Sequence, residues 1–477
     1  MRLNSKQICE YTGGRVLVEP IDASKLACGI TWDSRTVAPD DLYVALPGEK
    51  VDGHAFVASA LSAGAAVVLV QEAPDEATCL LAREMGASVI EVSNTQAAIT
   101  DLARAWRGYL RGHVVGLTGS TGKTTTKNLV RDVVGAAFSV VATQGNQNNE
   151  LGVPKTLLTA DPETEVVVVE MGMRGLGQIA ELCEFVKPDM GLITNVGESH
   201  IELLGSRENI ARAKAELIEA LPVGTGCAFL NASDEYTPFV LECADAQARA
   251  IGVWRYDGSA EHADETADAY VTDVELDAEG KPAFVLHVAG ESAPCKLNLR
   301  GLHNVHNAAA AASVGARLGM DAAAIAAALA SSQPEVGRQH VVQARSGFTV
   351  IDDAYNANPD SMRASLAMFS SLATSGKRVA VLGDMGELGD YAVACHEGIG
   401  RAAAASGLDY LVCVGELAAH IARAAREAGM DADTVFETDS IPGVLGELDD
   451  LLEPGDAVLV KASHFMGLER VVGGLVN

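Results

Sequence analysis

A chain of 477 residues, 48% hydrophobic and 21% charged, is long enough for about two to four domains of roughly 100–200 residues, each with its own core. Its formal net charge of −29 disfavours nucleic acid or an anionic membrane as partner, since both are usually met with basic patches, but leaves room for small anions held by local N–H groups. No apolar run reaches the ~18 residues that suggest a membrane span, Met1–Glu10 has no signal-peptide core, and nine dispersed cysteines without a C-x-x-C pair suit neither a disulfide framework nor a zinc site; a cytoplasmic location is expected.

The fold class expected is α/β, in three domains. From residue 1 to 92, apolar runs such as Leu42–Leu46 and Ala66–Val70 alternate with glycine-containing turns, and Asp52-Gly53-His54 precedes a helical pattern through Ala63. From 93 to 333, a helix near Ala97–Arg111 leads into the strand Val114–Leu117, a glycine-rich loop and a helix from Lys123. Val166–Glu170 and Met190–Thr194 read as further buried strands, each followed by helix-compatible sequence, so a mainly parallel sheet covered on both faces is predicted. Tyr270–Val274, Ala283–Val288 and Cys295–Leu299 suggest an antiparallel appendage turning at Glu279-Gly280. From 334 to 477 the alternation restarts in a Rossmann-like pattern, with strands at Thr349–Asp352, Arg378–Leu382, Tyr410–Val414 and Ala457–Val460. The alanine-rich segments 307–317, 322–330 and 402–406 are expected as close-packed helices.

The loop Thr118-Gly119-Ser120-Thr121-Gly122-Lys123-Thr124-Thr125 follows a strand and opens a helix. Glycines let the backbone aim N–H groups at phosphate oxygens, the helix N-terminus adds positive potential, Lys123 supplies a cation, and the Thr124 hydroxyl suits Mg²⁺. One departure from a strict phosphate loop stands at Leu117, where the first glycine would fall. Glu170 ends an apolar strand, where a carboxylate can hold Mg²⁺. His200 follows another strand end, and Lys214 lies 14 residues further on in a helical pattern. Taken singly, Glu170 reads equally as an ion-pair residue, His200 as a hydrogen-bonded loop histidine and Lys214 as a solvated helix lysine; spacing alone does not decide between these readings.

Together these residues resemble the Mur ligase family, whose loop is commonly T-G-[ST]-x-G-K-[ST]-[ST]. The resemblance runs through Gly145-Asn146-Gln147-Asn148-Asn149-Glu150, Glu170-Met171-Gly172, Thr194-Asn195-Val196-Gly197-Glu198-Ser199-His200, Ala213-Lys214 and Gly301-Leu302-His303-Asn304-Val305-His306-Asn307. In the last domain it continues through Gly337-Arg338, Asp352-Asp353-Ala354-Tyr355-Asn356-Ala357-Asn358-Pro359 and Leu382-Gly383-Asp384-Met385-Gly386-Glu387-Leu388-Gly389. Asp-Asp-x-Tyr-Asn-Ala-Asn-Pro with Asn-x-Asn-Asn-Glu is similar to the D-alanyl-D-alanine-adding branch. The Asp-Asn-Pro-Arg signature of the tripeptide-building relative is absent from the sequence. Asp33-Ser34-Arg35-Thr36 through Asp52-Gly53-His54 resembles that family's uridine-diphosphate-binding domain.

The resemblance implies a monomeric, ADP-forming ligase that joins UDP-N-acetylmuramoyl-tripeptide to D-alanyl-D-alanine through an acyl phosphate, using ATP and Mg²⁺, two ions in all. It implies that Thr124, Glu170 and His200 hold metal, and that Lys214 is carbamylated by CO₂ and so joins the metal site. Lys123 would act on the phosphates, Asn307 on adenine, Arg338 on nucleotide phosphate and Asp353 on ribose. Ser34, Arg35, Asp52 and His54, with Asn146, Asn148, Asn149, Tyr355 and Asn358, are the substrate-binding candidates. A departure falls at Lys461-Ala462-Ser463-His464, where relatives often carry Lys-Gly-Ser-Arg. The competing readings are another ligase of the same fold, such as a folylpolyglutamate-type enzyme, and a phosphate-loop switch that hydrolyses nucleotide without forming an amide. The Ser34-Arg35 module argues against the first, and the lack of an Asn-Lys-x-Asp guanine signature gives the second no support.

Overall fold

The computed structural model describes residues 1–48, 51–261 and 263–476. Its described residues form three large sheets and a two-stranded ribbon that pairs Leu3–Asn4 with Leu26–Ala27. The first sheet has five strands, in the order Arg15–Val18, Ser88–Glu91, Val67–Val70, Asp41–Val44 and Gly29–Thr31. It is parallel except at its first pair. The helical stretch expected after Asp52 begins as a 3₁₀ turn, Gly53–Phe56, and becomes α-helical only over Val57–Ser62; the Asp52 carboxylate caps the turn by accepting from His54 N–H.

The second sheet has nine strands. Val140–Ala142, Val166–Glu170, His113–Thr118, Met190–Ile193, Cys227–Asn231, Gly252–Asp257 and Ala269–Leu276 lie side by side in parallel. Pro282–Val288 and Glu291–Lys296 extend the same sheet antiparallel. The antiparallel segments are therefore a continuation of the sheet, not an appendage to it. The last strand also begins and ends earlier than the expected Cys295–Leu299. Ala289 and Gly290, at φ 51° and 83°, make a two-residue hairpin of the type that matches strand twist, and pairing resumes at once with Val288 opposite Glu291.

Alternation explains why the central strands are uniformly apolar. Val167 and Val169 face one core with Ile99, Leu102 and Ile179, while Val166 and Val168 face the other with Leu129, Val133 and Ala308. Helix Thr95–Arg107, four residues shorter at its C-terminus than expected, is capped by Asn94 and covers the first face. On the second face the alanine-rich helix His303–Arg317 lies close against Lys123–Gly135, where a Cβ on Gly315 would stand 2.7 Å from a Val133 methyl. Small side chains thus serve close approach, as their composition predicts.

The third sheet runs His340–Gln343, Thr349–Asp352, Ala457–Lys461, Arg378–Gly383, Tyr410–Val414 and Val435–Thr438, antiparallel only at the first pair. The expected helix at 402–406 is the tail of a longer one, Ala392–Ala405.

Candidate active site

The strand His113–Thr118 lies between Val166–Glu170 and Met190–Ile193, in a register that sets Glu170 beside Leu117 and Ile193 beside Thr118. The carboxyl ends of three parallel strands are therefore level, which is where open α/β sheets bind ligands. The glycine-rich loop leaves this edge. Gly122 sits at φ 75° as the residue before helix Lys123–Gly135, and a Cβ there would fall 2.6 Å from Asn307 Oδ1, so both backbone and packing call for glycine. The loop is held from the next strand end: Asn195 Oδ1 accepts from Thr121 N–H at 2.9 Å, and the Thr194 hydroxyl donates to Thr121 O at 2.6 Å. Lys123 Nζ crosses the loop to Gly119 O at 2.7 Å and Ser120 O at 3.3 Å. Burial pulls its pKa down, against the opposing pull of Glu170.

Behind the loop, the Thr124 hydroxyl lies 3.3 Å from Glu170 Oε1, which also accepts from Asn148 Nδ2 at 2.8 Å. Glu170 is 1% exposed, and its Oε2 is buried without a hydrogen-bond partner. A buried carboxylate oxygen left open beside a hydroxyl suits a hard cation, which takes oxygen ligands. His200 lines the same cavity; its ring is drawn towards the neutral state by burial, with Glu387 opposing. Lys214, buried at 1% exposure, is held well below the usual lysine range by desolvation and then by the charge of Lys123, with Asp234 opposing.

The third domain closes the cavity, whose volume is about 1100 Å³. Arg338 Nη2 donates to Thr124 Oγ1 at 3.0 Å, and its guanidinium lies 4.4 Å from the centre of the Tyr355 ring. The Asn358 amide donates to the Ser199 hydroxyl, and Glu198 N–H reaches Asp360 Oδ2 at 3.4 Å. His464 stands beside Tyr355 with ring centres 5.6 Å apart.

The structure brings together Gly119, Ser120, Thr121, Gly122, Lys123, Thr124 and Thr125 with Glu170, His200 and Lys214. Asn146, Asn148 and Asn149 join them on the same wall, with Asn307, Arg338, Asp353, Tyr355 and Asn358 around it. Asn307 and Asp353 also have partners within the protein. Asn307 accepts from Thr126 and donates to Asn304, while the Asp353 carboxylate takes the Lys461 ammonium at 2.8 Å and the Ser365 hydroxyl.

Ser34, Arg35, Asp52 and His54 lie outside this cavity, in the first sheet's domain. Arg35 is exposed and doubly bonded to Asp33, which that pairing holds down to about 2. His54 bridges Asp52 through Nδ1 and Gln71 N–H through Nε2, so both ring nitrogens are occupied locally. Asn195, Glu387 and Lys461 emerge only from the structure as parts of the site; their motifs were visible, but each acts through a residue remote in the chain.

Three family models match: the Mur ligase family catalytic domain over residues 28–107, the Mur ligase middle domain over 117–315 and the Mur ligase glutamate ligase domain over 337–464. A UDP-N-acetylmuramoyl-tripeptide–D-alanyl-D-alanine ligase from Mycobacterium tuberculosis is 38% identical, with 100% of this chain and 98% of the relative covered. The chain belongs to the Mur ligase family. Among solved Mur ligases, the crystal structure of MurF from Acinetobacter baumannii superposes with a TM-score of 0.83 at 29% identity, covering 100% of this chain and 99% of that one. MurF from Thermotoga maritima, solved in complex with ADP, gives 0.75 at 27% identity over 94% of this chain and 97% of its own. The three-domain α/β architecture is thus that of a Mur ligase.

Proposed function

We propose that the protein is an ATP-dependent ligase that joins the terminal carboxylate of UDP-N-acetylmuramoyl-tripeptide to the amine of D-alanyl-D-alanine, releasing ADP and phosphate. The observation that carries this reading is the meeting of Lys123 and Thr124 with Arg338 across one cavity, so that a phosphate chain on the loop is gripped from two domains. The curated relatives supply the choice of substrates. On this reading the chain divides at about 92/93 and 333/334, with the UDP-linked substrate on the first domain, ATP on the second and the incoming amine facing the third.

The peptide carboxylate attacks the ATP γ-phosphorus, the bond to ADP breaks, and an acyl phosphate forms. The free amine then attacks the acyl carbon; the tetrahedral intermediate loses phosphate and a proton to leave the amide. Lys123 and the loop N–H groups neutralise charge on the transferring phosphoryl group, and Arg338 grips the nucleotide phosphates from the opposite side. Asn146, Asn148, Asn149, Tyr355 and Asn358 orient the two acceptors, while the docked third domain keeps water from the acyl phosphate.

Thr124, Glu170 and His200 would hold Mg²⁺, and the open Oε2 of Glu170 supports that fit. The metal would add positive charge at the phosphate oxygens. Lys214 deepens the reading. Its depressed pKa favours the neutral amine, which can attack CO₂ and lose a proton to become a carbamate, an anion able to take part in holding a second ion. Asn307 would meet adenine with its remaining amide hydrogen, and Asp353 would meet ribose from its bond with Lys461. An ATP-consuming reaction on such substrates belongs in the cytoplasm, and no helix among the described residues is long and apolar enough to cross a membrane.

The test is phosphate release with the UDP-linked tripeptide and a panel of amines, followed by the product mass. D-alanyl-D-alanine should stimulate release and add its own mass less one water. Equal stimulation by glutamate would instead favour a folylpolyglutamate-type specificity.

A further inference from the structure

His200 occupies the left-handed region at φ 64°, directly before the short helix Ile201–Leu204. A non-glycine residue there persists only when its surroundings hold it. The partners come from the third domain, on the loop after strand Arg378–Gly383. The Glu387 carboxylate meets His200 Nδ1, and the Glu387 carbonyl accepts Glu202 N–H at 3.3 Å, so side chain and backbone grip the same turn. Arg174 Nε stands 3.4 Å from the other carboxylate oxygen and orients it. Gly389 packs on Glu202, where a Cβ would fall 2.9 Å from Glu202 Cγ, and the Tyr391 hydroxyl reaches Gly205 O at 3.3 Å.

With the Glu387 carboxylate as acceptor, Nδ1 carries the proton, and in the neutral ring Nε2 is then the nitrogen with a free lone pair. We propose that Glu387 is a positioning residue for the metal-ligand histidine, fixing its ring and tautomer from the third domain so that divalent-cation binding depends on that domain being docked. A carboxylate behind a ligating imidazole both orients it and raises its basicity. The inference rests on the metal reading above, and adds that an intact second domain is not by itself a complete metal site.

The test is Mn²⁺ binding to the full-length chain with ADP, followed by electron paramagnetic resonance. Wild type is compared with His200→Ala, Glu387→Ala and Glu387→Gln, and ADP affinity is measured separately in EDTA. Glu387→Ala should weaken Mn²⁺ binding by about 10- to 100-fold. Glu387→Gln, whose amide oxygen can still accept from Nδ1–H, should stay within about threefold of wild type, and ADP affinity in EDTA should be unchanged in both. Unchanged Mn²⁺ binding in His200→Ala would remove the metal assignment itself. Weakened binding in His200→Ala with wild-type binding in Glu387→Ala would overturn the positioning role alone. Equal loss in Glu387→Gln and Glu387→Ala, or loss of metal-free ADP affinity, would overturn it in favour of a general docking defect.

Discussion

The two walls of the cavity are built on different principles. One wall is a single sheet edge: Thr118, Glu170 and Ile193 end adjacent parallel strands, and their register alone sets the loop, the carboxylate and the next strand's Thr194 and Asn195 side by side. The other wall carries Arg338, Tyr355 and Asn358, with Glu387 outside the cavity lining; Arg338, Asn358 and Glu387 meet the second domain through long-range contacts with Thr124, Ser199 and His200. Register is a property of the second domain's own fold; the second wall depends on contacts between domains. The first wall should therefore govern chemistry, and the second affinity and assembly.

Lys123→Ala is the most severe way to break that division. Removing the loop cation should lower amide formation by at least about a thousandfold, at the upper end for a preorganised charge in a water-excluded site. The ammonium's partners are the carbonyls of Gly119 and Ser120, and no core packing is lost, so the melting temperature should move by only a few degrees. Near-wild-type turnover in a folded variant would refute the site.

Lys214 tests the same wall more finely. Turnover in CO₂-depleted buffer should fall about tenfold and return with bicarbonate, and ¹³C-labelled CO₂ should give a carbamate resonance that Lys214→Ala lacks. The sign with pH follows from the depressed pKa: burial raises the share of neutral amine, so carbamate and activity should both decline as pH falls and the amine protonates. Full activity without CO₂ and no labelled signal would end the carbamylation reading.

Across the cavity, Arg338→Ala should act on affinity. A hydrogen bond to a charged group contributes about 1.5–3 kcal/mol, so KM for ATP should rise roughly tenfold or more while Lys123-dependent chemistry persists. A fall in kcat with no change in KM would place Arg338 with the chemical wall and dissolve the contrast.

How much of each wall the sequence reveals follows the same line. Gly122, Lys123, Thr124 and Glu170 can be found because local patterns carry them: an apolar strand, a turn that needs glycine, a helix start, a carboxylate at a strand end. The alternation of Val166 to Val169 between two cores likewise makes a buried strand plain. Asn195 acts on Thr121, 74 residues away, and Glu387 on His200, 187 away; no local period encodes those meetings, and only the family resemblance drew attention to their segments. The extended sheet lies beyond local patterns for a related reason. Whether a hairpin adds to an existing edge or stands apart depends on the parallel pairing of Tyr256 with Ala269, which neither strand announces.

The smallest effect is expected furthest from both walls. Arg35 is exposed and bound to Asp33 through its backbone N–H, Nε and Nη2, while Lys155 from the second domain lies over the neighbouring Trp32 ring at 4.8 Å. An exposed ion pair adds little to stability, so Arg35→Ala should leave the melting temperature within about two degrees. If the guanidinium serves the UDP-linked substrate, it must exchange Asp33 for phosphate oxygens, and that exchange discounts its net contribution. KM for the UDP-linked tripeptide should then rise only about three- to tenfold, with KM for ATP and for D-alanyl-D-alanine unchanged. A parallel rise in KM for ATP would mean that the first domain reaches the nucleotide cavity, and the separation of substrate anchoring from that cavity's two walls would fail.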